Sequence, residues 1–171
     1  MKRLLPCLTA LAILVSACEA QTLAEPGRFT PLVPLGKPAI VDSATAYPGG
    51  AYDASNLVDG IADGSHRSEY ASAGKGTETF VVFDFGKPTA IAAFKHVDRF
   101  DPATVDRARL IFSDDADFAR TIATIEVKHA NSRGGVTFVP FEPVAARFVR
   151  WQVTAVHSYG TVGGAEIDFY A

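Results

Sequence analysis

From about residue 78 onward the chain breaks into short apolar runs punctuated by turn residues. The plainest are 78–85 (ETFVVFDF), closed by Gly86-Lys87-Pro88, and 90–97 (AIAAFKHV). Further runs lie at 108–112, 121–127, 136–139, 147–154 and 165–170. In 147–154 the alternation is explicit: Arg147, Val149, Trp151 and Val153 share one face, and Phe148, Arg150, Gln152 and Thr154 share the other. A period of two is that of a strand with one face buried, which assigns Trp151 to the core. No sustained 3.6-residue period marks an amphipathic helix. A single helical turn is expected at 54–58, and 115–120 reads equally as a turn of helix or a hairpin connection. Several short strands at close spacing, separated by turns, describe an all-β sandwich.

The first residues follow another logic. Met1-Lys2-Arg3 is cationic, residues 4–15 are apolar, and Ser16-Ala17 precedes Cys18. This has the form of a secretory signal, too short to span a bilayer with its ~20 residues of helix. Leu14-Val15-Ser16-Ala17-Cys18 also has the form of a lipobox, which would make Cys18 the lipidated first residue of a mature chain. Cleavage after Ala20 is the alternative. Residues 18–38 hold four prolines and read as a tether, so the expected organisation is signal 1–17, tether 18–38 and domain 39–171. The expected location is the bacterial cell envelope, reached through a lipid anchor.

Composition narrows the function. Removal of residues 1–17 leaves 171 − 17 = 154 residues and, of the two cysteines, only Cys18, so no intrachain disulfide remains to support the fold. The basic count falls from 16 to 14 against 19 acidic residues, a charge of −5 with no basic cluster, which argues against nucleic acid as a partner. No G-x-S-x-G, H-E-x-x-H or Cys–His arrangement is present, and a non-enzyme is expected.

Several pieces then align with one family. Ala54-x-Asn56-x-x-Asp59-Gly60 followed by Ser68-x-Tyr70-x-Ser72 resembles the opening of discoidin-type domains, also called coagulation-factor C-type domains. Residues 80–86 (FVVFDFG), 110–115 (LIFSDD), 141–150 (FEPVAARFVR) and 165–167 (AEI) resemble their later strands, in order. Tyr70 departs from the family's usual Trp, and 61–67 is slightly long. The resemblance covers about residues 40–171. It implies an eight-stranded antiparallel jelly-roll β-sandwich of the galactose-binding-like type, with binding loops gathered at one end.

Two sets of residues carry the functional expectation. The run 54–72 (ASNLVDGIADGSHRSEYAS) is rich in oxygen donors, and its Asp-Gly pairs suit either a hard cation such as Ca²⁺ or plain Asx turns. The resemblance implies a structural Ca²⁺ held by Asp59, Ser68 and Glu166, with Asp63 contributing. Zinc is disfavoured, because His66, His96, His129 and His157 lack ligand spacing. The second acidic run, 113–117 (SDDAD), reads as a hairpin turn. For ligand binding, sugar recognition pairs an aromatic face with polar groups for the ring hydroxyls. His96, Arg99 and Asp101 leave a strand for the expected binding loops, and Tyr159 lies where the family places an aromatic platform. The expected partner is a glycan or polysaccharide. The alternative is an envelope protein bound through the same loops.

Overall fold

The computed structural model describes residues 31–171. The signal sequence, Cys18 and most of the tether lie outside the described residues. Eight strands are present: β1 (Ala39–Ser43), β2 (Tyr70–Ala71), β3 (Phe80–Val97), β4 (Val105–Ser113), β5 (Ala123–Lys128), β6 (Val136–Val156), β7 (Gly163–Gly164) and β8 (Glu166–Tyr170). Every pairing between them is antiparallel. Helix among the described residues is confined to 3₁₀ turns at Ala54–Val58, His66–Ser68 and Gly76–Glu78. The 115–120 segment is a hairpin connection between β4 and β5.

Gly86-Lys87-Pro88 does not end a strand, as its composition predicts. β3 runs through it for 18 residues, and β6 runs for 21 through Pro140 and Pro143. The ladder between them skips from Asp84–Phe148 to Thr89–Ala146 and slips again between Ile91 and Ala93. Prolines cannot donate to a ladder and are tolerated where pairing is already interrupted. Both strands bend there and serve two layers. The first half of β3 and the second half of β6 join β1, β4 and β5 in a front layer; the remaining halves pair with each other, and β3 with β8, in a back layer. Two resembled motifs meet at the bend: Arg147 donates to both carboxylate oxygens of Asp84 at 2.9 Å, and Asp84 also accepts from the Gly86 amide.

Between the layers lie Val81, Phe83, Leu110, Phe112, Val149, Trp151 and Val153 from the front, with Phe94, Ile167 and Phe169 from the back. Phe169 of β8 contacts Phe83 and Phe85 edge-on, at 5.2 and 5.3 Å between ring centroids. Trp151 is fully buried, as its alternation requires.

Residues 33–38, expected as tether, belong to the sandwich. Val33 and Ala171 exchange backbone hydrogen bonds, and the Leu35 amide donates to the Phe169 carbonyl. The segment thereby covers the outer edge of β8, which would otherwise stand unpaired.

Candidate functional site

The β3–β4 connection, residues 98–104, is tied down by buried hydrogen bonds at both ends. Asp98 is buried, and its two oxygens accept from the amides of Arg99 (2.8 Å) and Val105 (3.1 Å), closing the loop on itself. Burial pushes its carboxyl up to about 7. Glu69, also buried, accepts from Arg99 Nε at 3.2 Å and from the Phe100 amide at 2.7 Å. Arg99 Nη1 donates to the Thr161 carbonyl at 2.7 Å. Three separate stretches of chain thus converge on one guanidinium. A buried charge persists only with such partners. Phe100 packs against Gly134, where any side chain would lie 2.5 Å from the ring and φ is +61°.

On one side of this loop lies a cleft of about 260 Å³ lined by Tyr47, Tyr52, Ala71, Arg99, Asp101 and Thr161. Tyr47 and Tyr52 meet edge-on at 5.6 Å, and the Arg99 guanidinium stands 5.7 Å from the Tyr52 ring. On the other side a cleft of about 410 Å³ is framed by Pro102, Thr104, Asn131, Arg133, His157 and Tyr159. Here Thr104 Oγ donates to Asn131 Oδ1 at 2.8 Å, and Ser158 Oγ to the Pro102 carbonyl at 2.9 Å. Tyr159 stands out into solvent, 64% exposed. The expected set is therefore divided: Arg99 and Asp101 line one cleft, Tyr159 the other.

His96 is a correction. It is fully buried on the inner face of β3, so it lies in the core and not in the binding loops. Its Nε2 meets the Gly163 carbonyl at 3.1 Å, and its ring lies 4.5 Å from that of His129 and 5.3 Å from that of Trp151. A Cβ at residue 164 would fall 2.4 Å from His96 Nε2, so a glycine is needed there. Strand parity placed His96 on the face of Phe94, and burial follows from that. Tyr47, Tyr52 and Glu69 were not among the expected residues. The signal for the two tyrosines was present, as aromatic rings bracketing Pro48-Gly49-Gly50-Ala51; Glu69 had none.

The expected cation residues are arranged differently from a cage. Asp59 Oδ1 accepts from the Ile61 amide at 2.7 Å. Asp63 Oδ1 accepts from the Ser65 amide at 2.8 Å and from Ser68 Oγ at 2.9 Å, and these bonds hold its carboxyl below the usual range. Glu166 does reach this loop, accepting from the Gly60 amide at 3.0 Å, but its other oxygen is met by the Lys37 ammonium. Lys37 also reaches Asp168 at 3.0 Å. Among the described residues no group of three or more His, Cys, Asp or Glu side chains converges as metal ligands would. As folded, Lys37 takes the Glu166 oxygen that the expected ion would use, and no role is built on calcium here. In the second acidic run, Asp117 accepts from the Ala119 amide within the hairpin turn, while Asp114 accepts from the Arg147 amide of β6.

Comparison with known proteins agrees with this architecture. Chitosan-binding module 1 derived from a chitosanase/glucanase of Paenibacillus sp. IK-5 superposes with a TM-score of 0.61 at 19% identity, covering 80% of this chain and 96% of that one. The lectin domain of lectinolysin complexed with Lewis B antigen gives 0.61 at 18%, covering 77% and 91%. A Streptococcus pneumoniae fucose binding module gives 0.59 at 19%, covering 75% and 87%. No curated protein sequence gives a significant match to the chain. The F5/8 type C domain model matches residues 40–167, the span of the sandwich from β1 into β8, and the chain belongs to that family.

Proposed function

We propose that the protein is a non-catalytic carbohydrate-binding module that holds a glycan at its loop end and is displayed on the cell envelope through Cys18. The observation that carries the reading is the cleft in which Tyr47 and Tyr52 stand beside Arg99 and Asp101. Aromatic rings take the apolar face of a sugar, and a fixed guanidinium and carboxylate take its hydroxyls. Arg99 is spoken for by Glu69 and Thr161, so it acts as a preorganised edge of the cleft with few rotamers left to lose. The cleft suits a single ring, and the Tyr159 cleft across the 98–104 ridge offers a place for the next. Solved structures of similar fold are described as binding chitosan, Lewis b and fucose, which supports the ligand class. A protein-binding use of the same loops would call for a broad apolar patch, whereas these clefts mix rings with charged and hydroxyl groups.

The test is a glycan-binding screen followed by titration of the best ligand. Tyr52→Ala is expected to weaken binding about tenfold, equivalent to ~1.4 kcal/mol, at unchanged melting temperature. Absence of binding to any glycan at millimolar concentration would sink the reading.

A further inference from the structure

A groove of about 530 Å³, larger than either loop cleft, lies on the front layer, and the glycan-binding reading does not use it. Its lining includes Thr45, Lys75, Glu78, Phe80, Arg150 and Gln152. Phe80 and Gln152 are direct cross-strand partners, and Arg150 lies opposite Val82, so all belong to the strand face opposite that of Val81 and Trp151. The Arg150 guanidinium is stacked on the Phe80 ring at 4.1 Å. The groove is preformed, because Gln152 Nε2 donates to the carbonyls of Thr77 (2.8 Å) and Thr79 (3.1 Å) and so fixes the wall at Gly76–Glu78.

The two cations in it have no acidic partner within reach among the described residues. Arg99, Arg107, Arg109 and Arg147 all pair with acidic side chains. Arg150 and Lys75 pair with none among the described residues, and Arg150 Nε is buried without an acceptor. The guanidinium stacked on Phe80 lines the groove without an acidic partner, and a ligand carboxylate would supply one. Stacking on Phe80 holds the guanidinium fork in one plane, the arrangement that recognises carboxylates.

We propose that this groove is a second glycan subsite, selective for a sugar that carries a carboxylate. Arg150 and Lys75 take the acidic group; Thr45, Glu78 and the free carbonyl of Gln152 take ring hydroxyls. The chain's net charge of −3 gives a polyanion no general attraction, so selectivity must come from this local pair. The proposal shares with the loop-end reading only the class of ligand.

The experiment is calorimetric titration with a galacturonate oligomer and, in parallel, a neutral chitooligosaccharide. Wild type is expected to bind the galacturonate oligomer, more weakly as salt rises. Arg150→Met keeps the packing on Phe80 and removes the charge, and should lose about tenfold in affinity for it. Lys75→Met, at the rim, provides a second variant should Arg150→Met unfold. Tyr52→Ala should leave galacturonate binding intact. Galacturonate binding that is absent at millimolar concentration, unchanged in both variants, or abolished by Tyr52→Ala would overturn the proposal. Galacturonate binding that survives Tyr52→Ala, with no other glycan in the screen bound at millimolar concentration, would instead overturn the loop-end reading alone.

Discussion

The turns at Asp59 and Asp63 and the turn at Asp98 use the same residue type in opposite ways. Asp59 and Asp63 sit at the surface, each capping the turn two residues ahead. At Asp63 the bonds from the Ser65 amide and Ser68 hydroxyl favour the ionised form and hold the carboxyl below the usual range. Asp98 also accepts two amides, yet it is 1% exposed, and desolvation outweighs the hydrogen bonds so that its carboxyl titrates near 7. Water is the difference. Surface carboxylates shape their own turns, whereas buried Asp98 closes its whole loop and buried Glu69 ties that loop to a segment 30 residues away, at the wall of the cleft.

The comparison breaks most sharply at Glu69. Glu69→Gln leaves the buried Arg99 guanidinium with only Asp101, at 3.7 Å, as a charge partner among the described residues and should cost about 3 kcal/mol in chemical denaturation. A loss under ~1 kcal/mol would mean that Arg99 finds water, and that the cleft wall is not built as described.

Acid tests burial next. His96 and His129 face each other in the core, and burial lowers them to about 4 and about 2. Unfolded histidine takes its proton near 6.5, so both contribute stability above that pH and lose it as pH falls. Asp98 acts in the opposite sense, since its raised folded value stabilises the protonated fold below about 7. From pH 6.5 to 4 the unfolded state gains two histidine protons and the folded state holds one on Asp98. The net of one gives a stability loss of about 1.4 kcal/mol per pH unit. His129→Phe removes one of the two and should flatten the profile over that window; an unchanged slope would show that the pair does not titrate as a buried pair.

Lys37 sharpens the comparison further. It stands half in solvent, and Lys37→Met should cost about 1 kcal/mol through Glu166 and Asp168. Added calcium or chelator should leave the wild-type melting temperature unchanged, and a rise with calcium would restore the cation cage at this loop. The smallest effect belongs to Asp63→Asn, which keeps a turn-capping oxygen and should leave the melting temperature within experimental scatter.

Much of the sandwich was legible in the chain because strand burial writes itself as alternation. Trp151, the strand at 147–154 and the closing strand all follow from it. What escaped were features set by distant partners. The continuity of β3 and β6 through glycine and proline depends on where two layers part, which no local pattern encodes. The site shows the same division. Arg99 and Asp101 were legible from a polar turn after an apolar strand, and parity along 90–97 could have removed His96. Glu69 could not be found locally, because its role exists only once residues 99–100 fold onto it. The cation reading of 54–72 counted oxygens without knowing that Lys37, from the presumed tether, would reach Glu166.

The docking of residues 33–35 on β8 also gives the molecule a direction. β8 starts at Glu166 beside Val97, next to the cleft loop, and runs away from it to Ala171, where Val33 is paired. Both ends of the described chain therefore emerge at the pole away from the clefts. Within the sandwich, the chain's entry and exit thus share one pole, and Tyr47, Tyr52 and Tyr159 belong to the other.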